Sequence, residues 1–324
     1  MADRPHGAVA PAAWDEYWRL SHEAAAHPTG GPQEEVLARF WTSFLRTALA
    51  NVADPRLIDL ACGNGAMLRF ALDSARRAGR PLLALGVDNS PAAIADLKRR
   101  LPAVLGLVAD VRQAPFPDGG FDIVGSQFGL EYGGLAAFDE AARLVAPGGM
   151  LALIVHLKDG AIYRECAANL QAIDGVRRCG ILAATRDVFR AAAEGMRRAG
   201  DAAAAKTRLL TAAREMEEIL RTYGSAVAGG IVQRLYVDMG HMCLRVNAFR
   251  PTEVLHWVAN MERESEAYAK RMSSMLAAAV DGRQMDVISA RLANRGLSVR
   301  TREEMHIGVA KVEPAAWTLV CRRE

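Results

Sequence analysis

The sequence predicts an α/β fold: a doubly wound, mostly parallel seven-stranded sheet with one reversed strand, N-terminal helices and a large helical insertion after strand five. Strand-like and helix-like segments alternate regularly from Leu57 to His156. Several of these strand-like segments are apolar on both faces, as in a parallel sheet that helices cover on each side. Two more strand-like segments end the chain, and a reversed strand there would make the sheet mixed.

Length and composition favour a soluble globular protein. The 324 residues are 51% hydrophobic and 24% charged, and the net charge of +3 gives no reason to expect nucleic acid or a membrane as the main partner. Five cysteines without CxxC spacing indicate a reducing compartment, and no spacing suggests a metal site. We find no secretory leader and no apolar run of membrane length, so we expect a cytoplasmic protein.

Four regions are expected along the chain. Residues 1–50 hold a tail (1–12) and cap helices, 51–157 the α/β core, 158–251 a helical lid or insertion, and 252–324 a C-terminal helix and strand pair. The core strands are expected at Leu57–Leu60, Leu82–Val87, Val104–Val108, Phe121–Ser126 and Met150–His156. Core helices are expected at Ala66–Ala78, Ser90–Arg100 and Leu135–Val145, and insertion helices at Ala161–Ile173, Thr185–Arg198, Ala203–Thr222 and Thr252–Ala278.

The stretch "LIDLACGNGAML", residues 57–68, combines a strand, a turn of small residues and the start of a helix. Small residues let the backbone approach a ligand closely, and the helix that follows offers free N–H groups. The dinucleotide fingerprint G-x-G-x-x-G is not met, because Leu68 stands in place of its third glycine. By itself this loop could hold a dinucleotide, a phosphate, or no ligand.

Asp88 ends the next strand, just before a helix that begins near Ser90. An acid at this position can accept both hydroxyls of a ribose. The alternative role is an N-cap of the helix.

Together with "AD" after the third strand, "PFPDGGFDIV" and "RLVAPGG", these segments resemble the class I S-adenosylmethionine-dependent methyltransferases. The resemblance covers residues 57 to about 156 and the C-terminal strand pair, and it implies a Rossmann-like fold with S-adenosyl-L-methionine as the cofactor. Ala61 replaces the usual first glycine of the loop. The resemblance implies contacts to the methionine part from Asp59, Ala61, Gly63 and Gly65, to the ribose from Asp88 and Asn89, to adenine from Asp110 and Val111, and to the sulfonium side from Ser126, Gln127 and Phe128.

Aromatic residues near the N-terminus extend this expected site. Trp14, Tyr17 and Trp18 are spaced to share one helical face. In similar enzymes an N-terminal aromatic helix closes over the cofactor, which makes Tyr17 and Trp18 candidate cofactor contacts. Ordinary packing onto the core is the alternative.

Methyl transfer needs alignment, exclusion of water, and a base if the acceptor carries a proton. Candidate catalytic residues at the carboxyl ends of strands four and five are Glu131, Tyr132 and His156. A structural strand-end histidine, and a capping or orienting role for Glu131 and Tyr132, are the alternatives. His241 could act from a lid, or be structural.

The predicted function is therefore methyl transfer to an oxygen or nitrogen atom of a small molecule, with carbon and sulfur acceptors as open alternatives. An RNA or protein methyltransferase is the second hypothesis, although we find no "NPPY"-type motif and no basic block. The third is a non-catalytic cofactor-binding or dimerisation protein. Its homodimer contact would be an apolar stripe of Leu209, Leu210, Met216 and Leu220 on the inserted helices.

Overall fold

The computed structural model describes residues 11–20, 32–50, 52–193, 199–308 and 312–324, so most of the expected tail lies outside the described residues. The strands are β1 Arg56–Leu60, β2 Leu83–Asp88, β3 Leu105–Val108, β4 Phe121–Gln127, β5 Val145–His156, β6 Leu297–Ile307 and β7 Glu313–Arg323. The helices are α1 Pro11–Leu20, α2 Pro32–Ala50, α3 Ala66–Arg77, α4 Pro91–Arg100, α5 Gly134–Leu144, α6 Ala161–Cys179, α7 Ile181–Ala193, α8 Ala199–Tyr223, α9 Ile231–Leu244, α10 Pro251–Ala278 and α11 Gly282–Asn294.

The strands form one sheet in the order β3-β2-β1-β4-β5-β7-β6. The first five pair in parallel, and β7 runs antiparallel to both of its neighbours. The expected seven-stranded sheet with one reversed strand is confirmed. The strand order turns back between β1 and β4, which places a crevice at the carboxyl ends of these two strands.

Helices cover both faces of the sheet. Leu57 and Ile58 point to opposite faces, because successive side chains of a strand alternate. On one face Leu57 packs with residues of α2, α3 and α4, and on the other Ile58 packs with residues of α5 and α11. Both faces are apolar, which explains the continuous hydrophobic runs in the sequence.

Most strand ends lie within one residue of the expectation, and two features of the later strands depart further from the sequence pattern. Strand β5 begins at Val145 rather than Met150, because an irregularity in the β4–β5 pairing accommodates "APGG". Pro314 lies inside β7 opposite His306, although proline is more common in loops than in strands. Proline and glycine signal turns in sequence, and here an irregular pairing and a strand end accept them.

The chain divides into two compact units. The first contains the described residues up to Arg164 and from Ser274 onward, and the second is Glu165–Ser273. The expected boundary after residue 251 falls elsewhere, because α10 is one continuous helix. Val254 and Val258 near its start lie in the core of the second unit.

The second unit is helical and has its own core. The sequence analysis did not predict α9, which contributes Ile231, Leu235 and Met239 to this core. Of the apolar stripe on α8, Met216 is fully buried, Leu209 and Leu220 pack against the core, and Leu210 is 53% exposed. Most of the stripe therefore serves the unit itself, and the homodimer stays a prediction.

The chain leaves and re-enters the sheet at adjacent positions. The N–H of Val280 donates to the carbonyl of His156 at 2.8 Å, and the N–H of Lys158 donates to the carbonyl of Val280 at 3.0 Å. None of the described helices combines the length and apolar character needed to cross a membrane.

Candidate functional site

The loop after β1 is a compact turn with an unusual backbone. Ala61, Gly63 and Gly65 all have positive φ, of 54°, 52° and 92°. The N–H of Cys62 donates to the carbonyl of Val87 at 3.0 Å, and the N–H of Gly65 to the carbonyl of Cys62 at 2.9 Å. These bonds tie the turn to β2 and aim the first turn of α3 at the crevice.

The glycines at positions 63 and 65 are required by close approaches as well as by their φ angles. A Cβ on Gly65 would lie 2.4 Å from Cδ1 of Leu97 on α4, and one on Gly63 would lie 2.6 Å from Cζ2 of Trp18 on α1. Real Cβ atoms do not approach other atoms so closely. The loop is therefore packed between α4 on one side and the indole of Trp18 on the other.

Asp88 organises the loop from the end of β2. Its Oδ2 accepts the N–H of Gly63 at 2.9 Å, and its Oδ1 accepts the N–H of Ser90 at 2.9 Å. The N-cap of α4 is Ser90, whose hydroxyl accepts the N–H of Ala93, so Asp88 does not have the alternative role of N-cap. Burial raises the pKa of Asp88, and nearby Asp15 raises it further. Hydrogen bonds from backbone N–H groups, including that of the exposed Asn89, oppose this rise.

Asp59 is the most deeply buried acid of the loop region, at 1% exposure. Burial raises its pKa well above the usual range, and the neighbouring Asp88 raises it further. Its Oδ1 has no hydrogen-bond partner among the described residues. A buried polar atom without a partner is costly, so this oxygen is suited to receive a donor from a ligand.

Helix α1 lies against this loop. Oδ1 of Asp15 accepts the hydroxyl of Ser90 at 2.7 Å and the N–H of Ala92 at 3.0 Å, which caps the start of α4. Trp18 is buried against Gly63, and the ring of Tyr17 lies 4.9 Å from that of Trp18, so the cofactor role of both residues stays a prediction beside ordinary packing. The sequence analysis missed Asp15, since its partners are 75 and 77 residues away.

The predicted adenine contacts lie in the turn after β3. Asp110 is nearly half exposed, and its Oδ2 pairs with Nη2 of Arg112 at 2.6 Å. The Arg112 hydrogen bond and charge lower the pKa of Asp110 despite partial burial. Val111 packs against the core beside Gly133. Asp110 therefore stays ionised, and a ligand amino group would share it with Arg112.

Three predicted residues at the end of β4 have different surroundings. The buried hydroxyl of Ser126 donates to the carbonyl of Leu60 at 2.7 Å, and Oε1 of Gln127 accepts the indole N–H of Trp41 at 2.6 Å. Both side chains thus join strands and helices of the core. Of these three residues, Phe128 is the one whose ring contacts the candidate catalytic residue His156, with ring centroids 4.5 Å apart.

Glu131 and His156 form a buried pair at the ends of β4 and β5. Oε1 of Glu131 lies 2.6 Å from Nδ1 of His156 and also accepts the main-chain N–H of His156 at 3.0 Å. If Oε1 accepts, Nδ1 carries the proton, and in the neutral imidazole Nε2 is then an acceptor. Among the described residues Oε2 of Glu131 has no hydrogen-bond partner. Two of the predicted catalytic residues are therefore in direct contact.

Tyr132, the third, connects this pair to α1. Its ring lies 6.0 Å from that of His156 and 5.7 Å from that of Trp14, nearly perpendicular to both. The backbone of Gly129 contacts Ala61 of the loop, since a Cβ there would lie 2.5 Å from that of Ala61. The loop, the Glu131–His156 pair and α1 thus border one region. His241, by contrast, is exposed on α9 of the second unit.

A second residue that was not predicted from the sequence is Asp96 on α4, which holds the loop after β1 through Asn64. Its Oδ2 accepts Nδ2 of the buried Asn64 at 3.2 Å and is paired with Arg100. Asn64 and Asp96 are 32 residues apart, and no spacing in the sequence links them.

These residues fit the cofactor that the sequence implies. The unpartnered oxygen of Asp59 suits the ammonium group, Asp88 suits the ribose hydroxyls, and the positive φ angles of the loop allow close contact with the backbone. The acids of the site also suit a ligand that carries a sulfonium charge.

Comparisons with known proteins agree with this fit. Residues 57–149 match the family model of a methyltransferase domain. A demethylmenaquinone methyltransferase of Beutenbergia cavernae is 33% identical over 115 residues, 35% of this chain and 45% of that protein. A trans-aconitate 2-methyltransferase of Acidovorax sp. (strain JS42) is 36% identical over 124 residues, 36% of this chain and 46% of that protein. The chain thus spans less than half of the curated relatives it matches.

A solved structure is also similar in part. It is geranyl diphosphate C-methyltransferase from Streptomyces coelicolor A3(2), in complex with Mg2+, geranyl diphosphate and S-adenosyl-L-homocysteine. The identity is 21% and the TM-score 0.35, over 49% of this chain and 67% of that one.

Proposed function

We propose that the chain is a class I S-adenosylmethionine-dependent methyltransferase that transfers a methyl group to an oxygen or nitrogen atom of a small molecule, since residues 57–149 match the model of a methyltransferase domain. The observation that carries this proposal is the buried Glu131–His156 pair at the same sheet edge as the Asp59–Gly65 loop. The relatives are named for a menaquinone precursor and trans-aconitate, so similarity alone leaves the acceptor open.

The chain's own residues would hold the cofactor in the following way. The backbone of Gly63 and Gly65 and the carboxyl of Asp59 would contact its amino-acid part. Asp88 and Asn89 would bind the ribose, and Asp110 and Val111 the adenine. When bound, the cofactor supplies an activated methyl group, and the electron pair of the broken carbon–sulfur bond leaves with the sulfur.

His156 is the proposed catalytic base, and Glu131 its positioning residue. Glu131 fixes the imidazole through Nδ1, so Nε2 can take the proton of the acceptor atom as that atom attacks. Burial of both side chains excludes water from the pair, which favours transfer to the acceptor over hydrolysis.

Binding of S-adenosyl-L-homocysteine to the purified full chain, measured by calorimetry, tests the proposal. Replacing Asp88→Asn removes a carboxylate acceptor of hydroxyl groups and should weaken binding roughly 10-fold to 100-fold. Asp118→Asn is the matched control, because Asp118 is exposed and outside the site. Because Asp88 also holds the loop, circular dichroism must show that the variant is folded, and Asp59→Asn gives a second reading. Equal affinity in the wild type, D88N and D59N would refute the proposal.

We also propose that the helical insertion acts as a lid and that the protein forms a homodimer. The variable helices after β5 would shape the acceptor pocket, as insertions at the crevice of such folds do.

A further inference from the structure

We infer that the methyl acceptor is an uncharged aromatic compound with an acidic hydroxyl group, and that Trp14 of α1 helps to select it. This inference rests on the proposed function and deepens it. It follows from the charges around the Glu131–His156 pair, from the rings next to that pair, and from the chemistry that one imidazole base can perform.

The charges of the site disfavour an anionic acceptor. Five carboxyl groups belong to it: Asp15, Asp59, Asp88, Asp110 and Glu131. Among the described residues, Arg19 pairs with Asp15 and Arg112 pairs with Asp110, whereas Asp59, Asp88 and Glu131 have no ion pair with an Arg or Lys. Neither His156 nor Glu131 forms an ion pair with an Arg or Lys in the described parts of the chain. A carboxylate or diphosphate brought to His156 would thus lie beside the carboxyl of Glu131 with no Arg or Lys paired to it.

The surfaces beside His156 are flat and aromatic. Phe128 is tilted by 33° to the imidazole, and Tyr132 presents a nearly perpendicular ring at an angle of 88°. Trp14 continues this surface, since its ring is perpendicular to Tyr132 and stacks on Trp18 with centroids 6.5 Å apart. Aromatic rings bind one another through offset and edge contacts. A planar ring is therefore the acceptor shape that these side chains recognise.

The base also sets the acidity that the acceptor needs. An aromatic hydroxyl has a pKa of about 10, as in tyrosine, whereas the pKa of water, which a saturated alcohol resembles, is far higher. A single imidazole can remove the first proton far more readily than the second. The hydroxyl proton would pass to Nε2 of His156, the oxygen would take the methyl group, and the imidazole would return the proton to solvent.

Trp14 and Trp18 lie on different parts of the site. Trp18 contacts Gly63 of the cofactor loop, and Trp14 contacts Tyr132 beside the base. Truncation of Trp18 should therefore affect the cofactor, and truncation of Trp14 the acceptor. This separation distinguishes a role in selection from a merely structural role of α1.

The experiment uses the full chain with S-adenosyl-L-methionine and matched acceptor pairs. Each pair is a phenol of one to three rings and the carboxylic acid of the same ring system, with the saturated alcohol as a third probe. We expect kcat/KM for at least one phenol to exceed that for its acid and its saturated alcohol by more than about tenfold. Trp14→Ala should raise the KM of that phenol about tenfold, with the cofactor KM nearly unchanged, whereas Trp14→Phe should restore it. Trp18→Ala should show the opposite pattern.

Calorimetry provides a reading that does not depend on turnover. Binding of the preferred phenol to the protein loaded with S-adenosyl-L-homocysteine should weaken in W14A and persist in W14F. Preference for the acids or saturated alcohols, no transfer to any phenol, or equal effects of W14A and W18A on both KM values would each overturn the inference. Transfer to acids alone would leave the proposed methyl transfer intact. Failure to bind S-adenosyl-L-homocysteine would overturn both.

Discussion

At the scale of single residues, the site is defined by acids that the fold removes from water. Asp59 and Asp88 are adjacent on neighbouring strands, and burial raises the pKa of both. Glu131 is equally buried but accepts two hydrogen bonds from His156. A fold retains unfavourable groups of this kind at functional sites, where a ligand supplies what the protein lacks.

The raised pKa of Asp59 predicts how stability changes with pH. In the unfolded chain an aspartate has a pKa of about 3.9, so the contribution of Asp59 to stability is complete below that pH and is lost as pH rises through the higher folded pKa. We expect the free energy of unfolding of Asp59→Asn to fall less than that of the wild type between roughly pH 4 and 8, since this range lies above the pKa of the unfolded aspartate. Urea unfolding measures this. Asp118→Asn, at an exposed acid, should follow the wild type, and a parallel pH dependence of D59N would contradict the prediction.

Substitution of His156 tests the proposed base. His156→Asn should lower kcat roughly 10²-fold to 10⁴-fold, the usual contribution of a general base, and leave the affinity for S-adenosyl-L-homocysteine unchanged. Glu131→Gln should lower kcat while retaining the same affinity. His306→Asn, on exposed β6, is the matched control, and His241→Asn tests the alternative base on α9. Unchanged kcat in H156N would exclude His156 as the base.

At the scale of elements, α3 shows how a helix end is built around the cofactor loop. Gly65 precedes its first residue at φ 92°, and Gly79 follows its end at φ 61°. Both positions need a left-handed backbone, but only Gly65 is in close contact with α4. The loop conformation thus depends on helix packing as well as on local preference.

Alanine substitutions at these two glycines separate the two causes. Gly79→Ala meets no atom within 4 Å and should cost about 1 kcal/mol through backbone strain alone. Gly65→Ala also forces its Cβ against Leu97, so it should cost about 2–4 kcal/mol and weaken binding of S-adenosyl-L-homocysteine. Urea unfolding and calorimetry measure both effects. Equal costs would show that packing against α4 contributes nothing.

At the scale of the whole molecule, the chain enters and leaves the helical insertion from neighbouring positions of the first unit. His156 and Lys158 both bond Val280, so the chain leaves and returns side by side. The second unit has a core of its own, and every predicted cofactor residue lies in the first unit. Insertions with adjacent ends disturb their host least.

Replacement of α6 to α10 by a short Gly/Ser linker from Gly160 to Ala279 tests this independence. We expect the shortened chain to fold and to bind S-adenosyl-L-homocysteine within about fivefold of the wild-type affinity, a cost of about 1 kcal/mol. Calorimetry measures the affinity, and circular dichroism reports folding. The full-length D88N variant is the control for lost binding. A folded but non-binding product would show that the insertion contributes to the cofactor site.

The amino-acid sequence by itself determined the order of the strands and of the helices between the first five strands, the reversed strand and the cofactor loop. These follow from local patterns: apolar periods, small residues in a turn, and acids at strand ends. It also placed Glu131 and His156 at strand ends, without showing that they touch. It missed α9 and Asp15, and it put the boundary of the insertion too early, at residue 251.

Only the tertiary structure decided which side chains meet. Ser126 and Gln127 follow the pattern of the site, yet they bond Leu60 and Trp41 inside the core. The loop "LACGNG" is tied to Asp88, Asp96 and Trp18, none of which is local to it. Hydrogen bonds and ring contacts across tens of residues depend on how strands pair and helices pack, and these contacts form only in the folded chain.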